Sequence, residues 1–237
     1  MARLRNGLPV LLAWSGGKDS ALALETLRAD PHTAVIGCVT AVTPEFDRVS
    51  IHGIRRSILR AQAAALGLPL VEARLQAASD NAAYEAAWAS ALAEAATRIA
   101  PFDCVAYGDL FLEDVRAYRD AQLARLGLQP LYPLWGQPTA ALGRRFIAAG
   151  YEAYLTCVDT TQLAPTFAGR RYDASLLADL PAAVDPCGEK GEFHTCVVAG
   201  PLFRERVAVR LGGQVLRDER FQYADLLLAG DTVARTA

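Results

Sequence analysis

A chain of 237 residues has room for one large domain or two small ones. Hydrophobic residues make up 52% and charged residues 21%, which supports a packed core and excludes a disordered chain. The formal net charge of −2 implies no basic face, which argues against a protein whose main task is gripping nucleic acid.

Residues 1–7 carry no apolar signal core, and no later stretch approaches membrane-spanning length. Five cysteines (Cys38, Cys104, Cys157, Cys187 and Cys196) are odd in number and never spaced as C-x-x-C, so the expectation is a cytoplasmic protein without structural disulfides. The three histidines, His32, His52 and His194, show no metal-ligand spacing.

Leu8-Pro9-Val10-Leu11-Leu12-Ala13-Trp14 predicts a buried strand, and Ala21 to Leu27 a helix. Val35 to Val42 predicts a second strand, Ile54 to Leu66 a helix ended by Gly67, and Leu68 to Leu75 a third strand. A long Ala-rich helix over 82–99 follows, then a strand at Cys104-Val105-Ala106-Tyr107 and a helix from Leu112 to Leu126. Strands alternating with helices imply βαβ units and a parallel sheet covered on both faces. Ligands on such sheets bind beyond the carboxyl ends of the strands. Gln129 to Trp135 holds two prolines and fits neither a central strand nor a helix, so it reads as a crossing into a second region. That region is expected to hold a helix near 140–149, a strand near 154–158 and a short helix near 174–180. Val207 to Leu211 and Val215 to Arg217 are expected to form a hairpin about Gly212-Gly213.

Two stretches carry the chemistry. Ser15-Gly16-Gly17-Lys18-Asp19-Ser20 lies between the first strand and its helix. Glycines there allow unusual φ and close backbone approach, and the free N–H groups at the helix start point at an anion. Ser15 and Ser20 add hydroxyls and Lys18 a cation, so a nucleotide phosphate is the expected ligand. Lys18 and Lys190 are the only lysines among 24 basic residues, which suggests that Lys18 supplies a compact ammonium where an Arg fork will not fit. The spacing is not Gly-x4-Gly-Lys-Ser/Thr. The second stretch, Asp185-Pro186-Cys187-Gly188-Glu189-Lys190-Gly191-Glu192-Phe193-His194-Thr195, reads as a loop displaying Glu189, Lys190 and Glu192. An extended run follows, with His194 and Thr195 on opposite faces.

Ser15 to Ser20 resembles the PP-loop of the ATP pyrophosphatases, which cleave ATP between the α and β phosphates and leave AMP and pyrophosphate. Tyr-Gly-Asp at 107–109, Pro-Leu-Tyr-Pro-Leu-Trp at 130–135 and Gly-Glu-Lys-Gly-Glu-Phe-His-Thr at 188–195 follow it in order. Together these segments resemble the diphthine–ammonia ligase family along nearly the whole chain. The resemblance implies a Rossmann-like α/β domain of the adenine nucleotide α-hydrolase type at 1–128. It also implies a smaller α+β substrate-binding domain at 129–237. The implied reaction is amide formation: ATP activates a carboxylate, which ammonia then attacks. His194-Thr195 departs from the Glu-Thr of the eukaryotic and archaeal ligases and resembles a bacterial branch. ATP chemistry therefore carries over, and the diphthine substrate does not.

On that resemblance, Ser15, Gly16, Gly17, Lys18, Asp19 and Ser20 hold the phosphates. Asp19 either places Mg²⁺ or caps the helix, and Asp109 either positions Mg²⁺ and nucleotide or caps the next helix. Glu189 and Glu192 bind ammonium and help remove its proton, and His194 titrates near neutrality in a similar role. Tyr118 and Arg119 either face the cleft or form a solvated surface. With no tethered glutaminase, free ammonia or another amine is the expected nucleophile. A homodimer is expected on base rate alone. The competing readings are a PP-loop tRNA-modifying enzyme, a non-catalytic adenine-nucleotide sensor, and an enzyme amidating a small metabolite acid.

Overall fold

The computed structural model describes residues 7–50, 52–77 and 79–230. Most of the amino-terminal stretch read for a signal core lies outside them. Strand β1 (Leu8–Ala13) sits at the centre of the first sheet, as its apolar run predicts. It pairs in parallel with β2 (Thr33–Thr43) and β5 (Cys104–Ala106), so Leu12 lies between Cys38 and Ala106. Strand β4 (Leu70–Arg74) pairs in parallel with β2, and the short β3 (Arg48–Val49) joins β2 antiparallel. Helices α1 (Lys18–Ala29), α2 (Arg56–Leu66), α3 (Asn81–Arg98) and α4 (Glu113–Arg125) connect the strands. The α/β class and its parallel sheet are as expected.

Strand order runs outward from β1 through β2 to β4, then returns to β5 on the other side. The ends of β1 and β5 therefore flank the switch point where such sheets bind ligands. Beyond β5, Gln129–Leu131 forms β6, an edge strand of this first sheet rather than only a crossing. Pro130 lacks an N–H, and an edge strand tolerates that loss.

The rest of the chain forms a second, antiparallel sheet. Its strands are β7 (Glu152–Asp159), β8 (Phe193–Ala199), β9 (Val209–Arg217) and β10 (Phe221–Leu228), in the order β8-β7-β10-β9. Helices α5 (Thr139–Ala148) and α6 (Ala174–Asp179) pack beside it. The expected hairpin about Gly212-Gly213 is corrected. Those glycines lie inside β9, where the register with β10 shifts between Ala224 and Leu226, as at a β-bulge. The reversal comes later, at Asp218 and Glu219, which take φ of 50° and 52°. Two consecutive positive φ angles are what a tight hairpin turn requires, and acidic residues supply them here in place of glycine.

One continuous core joins the two sheets. Leu12, Trp14, Leu22 and Ile58 share it with Phe146, Leu155, Phe193 and Val197. A smaller core under α3 gathers Leu11, Val39, Trp88, Leu92 and Val105. Fully burying a Leu or Phe contributes roughly 2 kcal/mol, so the shared core binds the sheets firmly. No helix among the described residues is long and apolar enough to cross a membrane.

Gln62 on α2 is fully buried where the sheets meet. Its Oε1 accepts from Trp14 Nε1 at 3.0 Å, and its Nε2 donates to Gly16 O at 3.0 Å and Val197 O at 2.6 Å. Gln62→Leu strips a partner from all three groups and is expected to cost about 2–4 kcal/mol in urea unfolding. A loss under about 0.5 kcal/mol would show that the bridge is dispensable.

Candidate active site

The turn after β1 is shaped by two glycines. Gly16 takes φ +82°, and a Cβ there would meet Gln62 Oε1 at 2.8 Å and Ile54 Cδ1 at 2.9 Å, so only glycine fits. Gly17 then caps α1 without a side-chain bond, and the helix begins at Lys18, three residues earlier than its apolar pattern suggests. Ser15 Oγ accepts the Gly17 N–H at 3.2 Å, and Ser20 Oγ donates to Gly17 O at 2.8 Å. The dipole end and free N–H groups of α1 face the same space.

Lys18 is 2% exposed. Its Nζ contacts Asp19 Oδ2 at 2.8 Å and also donates to the Cys187 carbonyl. Burial opposes the ammonium charge, but Asp19 and other acidic neighbours outweigh it and raise its pKa. Asp19 Oδ1 is buried with no hydrogen-bond partner.

Strand β8 closes on this loop from the second sheet. Thr195 Oγ1 accepts the Lys18 N–H at 3.0 Å, and the Val197 N–H donates to Gly16 O at 2.9 Å. The loop before β8 holds two carboxylates in different positions. Glu189 lines the cavity, and its Oε1 accepts the Leu110 N–H at 2.8 Å. Burial pushes its pKa up to about 7, opposed by the Leu110 amide and reinforced by Asp19. Glu192 is not displayed as expected. It is 1% exposed, accepts from the backbone N–H of Asp185 at 2.9 Å and of Lys190 at 3.0 Å, and is not among the cavity-lining residues. Lys190 is exposed and also outside that lining.

The third wall follows β5. A Cβ on Gly108 would meet the Asp19 carbonyl carbon at 2.9 Å and Ser20 N at 3.0 Å, so this glycine lets the wall touch the phosphate loop. Asp109 caps no helix, since α4 begins after Leu112 without a side-chain cap. It instead pairs with Arg119, Oδ2 to Nε at 2.6 Å and Oδ1 to Nη2 at 3.2 Å. Arg119 faces the cavity, whereas Tyr118 is 37% exposed and does not.

These walls enclose a cavity of about 290 Å³. It gathers Ser15, Gly17, Lys18, Asp19, Ser20, Asp109, Glu189 and His194. Gly16 contributes backbone behind the loop, and Glu192 shapes the loop from outside. His52 was missed by sequence reasoning, because nothing local marks it. Its ring lies 4.5 Å from that of His194, and its Nδ1 is buried without a partner. Burial, with Lys18 nearby, lowers the His194 pKa to about 4, which corrects the expectation of titration near neutrality. His52 is lowered well below the ordinary range by burial, His194 and Lys18.

Fold and site define a Rossmann-like α/β protein with a cavity at its switch point. Residues 9–130 match the diphthamide synthase N-terminal domain and residues 139–224 the diphthamide synthase C-terminal domain. The chain belongs to the diphthamide synthase family. It is 26% identical over 225 residues to the diphthine–ammonia ligase of Danio rerio, a match covering 82% of this chain and 84% of that protein.

The histidine pair makes the fold acid-labile. As pH falls below about 6.5, the unfolded chain takes up the His194 proton first, so stability drops until about pH 4. His194→Asn should give a shallower fall in Tm between pH 7 and pH 4. An unchanged slope would contradict the placement of His194.

Proposed function

We propose that this protein is an ATP-dependent, amide-forming ligase of the diphthine–ammonia ligase type. In this reading it adenylates a carboxylate, releases pyrophosphate, and passes the acyl group from AMP to ammonia or another amine. The observation that carries it is the closure of Thr195 and Glu189 over the Lys18 cradle. The cradle suits a polyphosphate, and the closing loop brings a carboxylate that titrates near neutrality to the same cavity. The name of the Danio rerio relative agrees with this chemistry.

The roles follow from the contacts. Ser15, Gly16, Gly17, Lys18 and Ser20 hold the departing phosphates, with Lys18 leaving Asp19 and the Cys187 carbonyl to do so. Asp19 Oδ1, a buried acceptor without a donor, fits Mg²⁺, which would neutralise phosphate charge. Among the described residues no group of three His, Cys, Asp or Glu side chains is placed to hold a metal, so one carboxylate plus phosphates is the fitting ligand set. A substrate carboxylate oxygen attacks the α phosphorus as the bond to pyrophosphate breaks. The amine nitrogen then attacks the acyl carbon, Glu189 takes its proton, and AMP leaves. Glu192 positions the loop that presents Glu189, and Asp109 holds Arg119. His194 and His52 stay neutral and line the cavity. The phosphate-holding part is assigned to residues 1–128 and the loop-bearing part to 129–237. An ATP-consuming ligase of this kind suits the cytoplasm.

Lys18→Ala should lower AMP and pyrophosphate formation by about 100-fold or more, with an unchanged circular dichroism spectrum. Wild-type AMP production in that variant, or ADP and orthophosphate as products of the native protein, would overturn the assignment.

A further inference from the structure

One end of the cavity is left over by the reaction just described. Tyr84 and Trp88 of α3, Arg119 of α4, and Tyr107 and Leu112 from the segment between β5 and α4 line it. Trp88 and Tyr107 are 3% and 1% exposed. The indole N–H lies near the phenol oxygen, yet neither group has a hydrogen bond of proper geometry within the protein. Buried donors seldom go unpaired, and the phenol O–H here still needs an acceptor. Arg119 adds charge at the same place, lying 4.2 Å over the Tyr107 ring. Its Nη2 donates to Asp109 Oδ1 and its Nε lies 2.6 Å from Asp109 Oδ2 in an ion pair, which orients the fork. Lys18 and Arg119 are the two permanent cations lining the cavity. The cradle claims Lys18.

The rings form a stack that lines this end of the cavity. Tyr84 stacks on Trp88 with centroids 6.1 Å apart, and Trp88 on Tyr107 at 6.5 Å. A donor set of guanidinium, phenol and indole beside stacked rings matches an oxyanion on a flat, apolar stem. The contact of Gly108 with the Asp19 backbone puts this end beside the phosphate loop.

We propose that Arg119, Tyr107, Trp88 and Tyr84 form the subsite for the carboxylate of the acyl substrate, and that this substrate carries a flat or apolar stem next to its carboxylate. The assignment rests on the ligase reading for the identity of the ligand, but its binding chemistry is tested without turnover.

The test uses the full chain with benzoate as probe and isothermal titration as readout. Benzamide removes the charge, acetate removes the stem, and pyrophosphate and adenosine report on the nucleotide region. Benzoate should bind at least about ten-fold more tightly than benzamide or acetate. Neither pyrophosphate nor adenosine should displace it. Tyr107→Phe removes no hydrogen bond of proper geometry, so it should stay folded and weaken benzoate about ten-fold. Arg119→Lys keeps a cation beside Asp109 and should weaken benzoate by a similar factor, which serves if Tyr107→Phe proves unstable. Lys18→Ala should bind benzoate as the native protein does. No benzoate binding, equal binding of benzamide or acetate, displacement by pyrophosphate or adenosine, or wild-type affinity in both cavity variants would each overturn the subsite. If benzoate behaves as stated while Lys18→Ala still makes AMP, the ligase reading falls and the subsite stands.

Discussion

The site depends on one pairing: β8 of the second sheet laid against the phosphate loop of the first. Thr195 accepts the first N–H of α1, the Val197 N–H donates to the Gly16 carbonyl, and Gln62 joins Gly16 and Val197 to Trp14. A free phosphate loop needs only a strand, two glycines and a helix. Here part of that loop's hydrogen bonding is met from about 180 residues further along the chain. The cradle and the acidic loop are therefore one assembly, and neither keeps its shape without the other.

The two glutamates of that loop show how similar residues divide. Glu192 faces inward and spends both oxygens on backbone amides. Glu189 faces the cavity, where burial holds its proton near neutral pH. One builds the loop and the other lines the cavity. Spacing in the sequence puts the pair three apart and cannot tell which is which, because a loop with several glycines has no fixed side-chain period.

Much of the first sheet was legible in the sequence because strand and helix periods repeat there without conflict, from Leu8 to Leu126. Legibility failed where backbone geometry came from partners. Gly212-Gly213 looks like a turn, but in β9 it absorbs a bulge, and Asp218-Glu219 makes the turn without glycine. Pro130 looks like a breaker, yet an edge needs no N–H on its outer side. In the site, the cradle residues from Ser15 to Ser20 were evident from a local pattern with a local cause. His52 and Trp88 were not, and Arg119 was left between cleft and solvent, since their roles arise from walls contributed by separate elements. The titration of His194 was misjudged for the same reason: burial is a property of its surroundings.

Phe146, Phe193 and Val197 pack with Leu12 and Leu22 in one core, so the two sheets share their apolar interior. Val49, Ser50, Gly108, Asp109, Cys187 and Glu189 bring three separate segments to the cavity above that core. The packing beneath the cavity thus fixes the spacing of its walls.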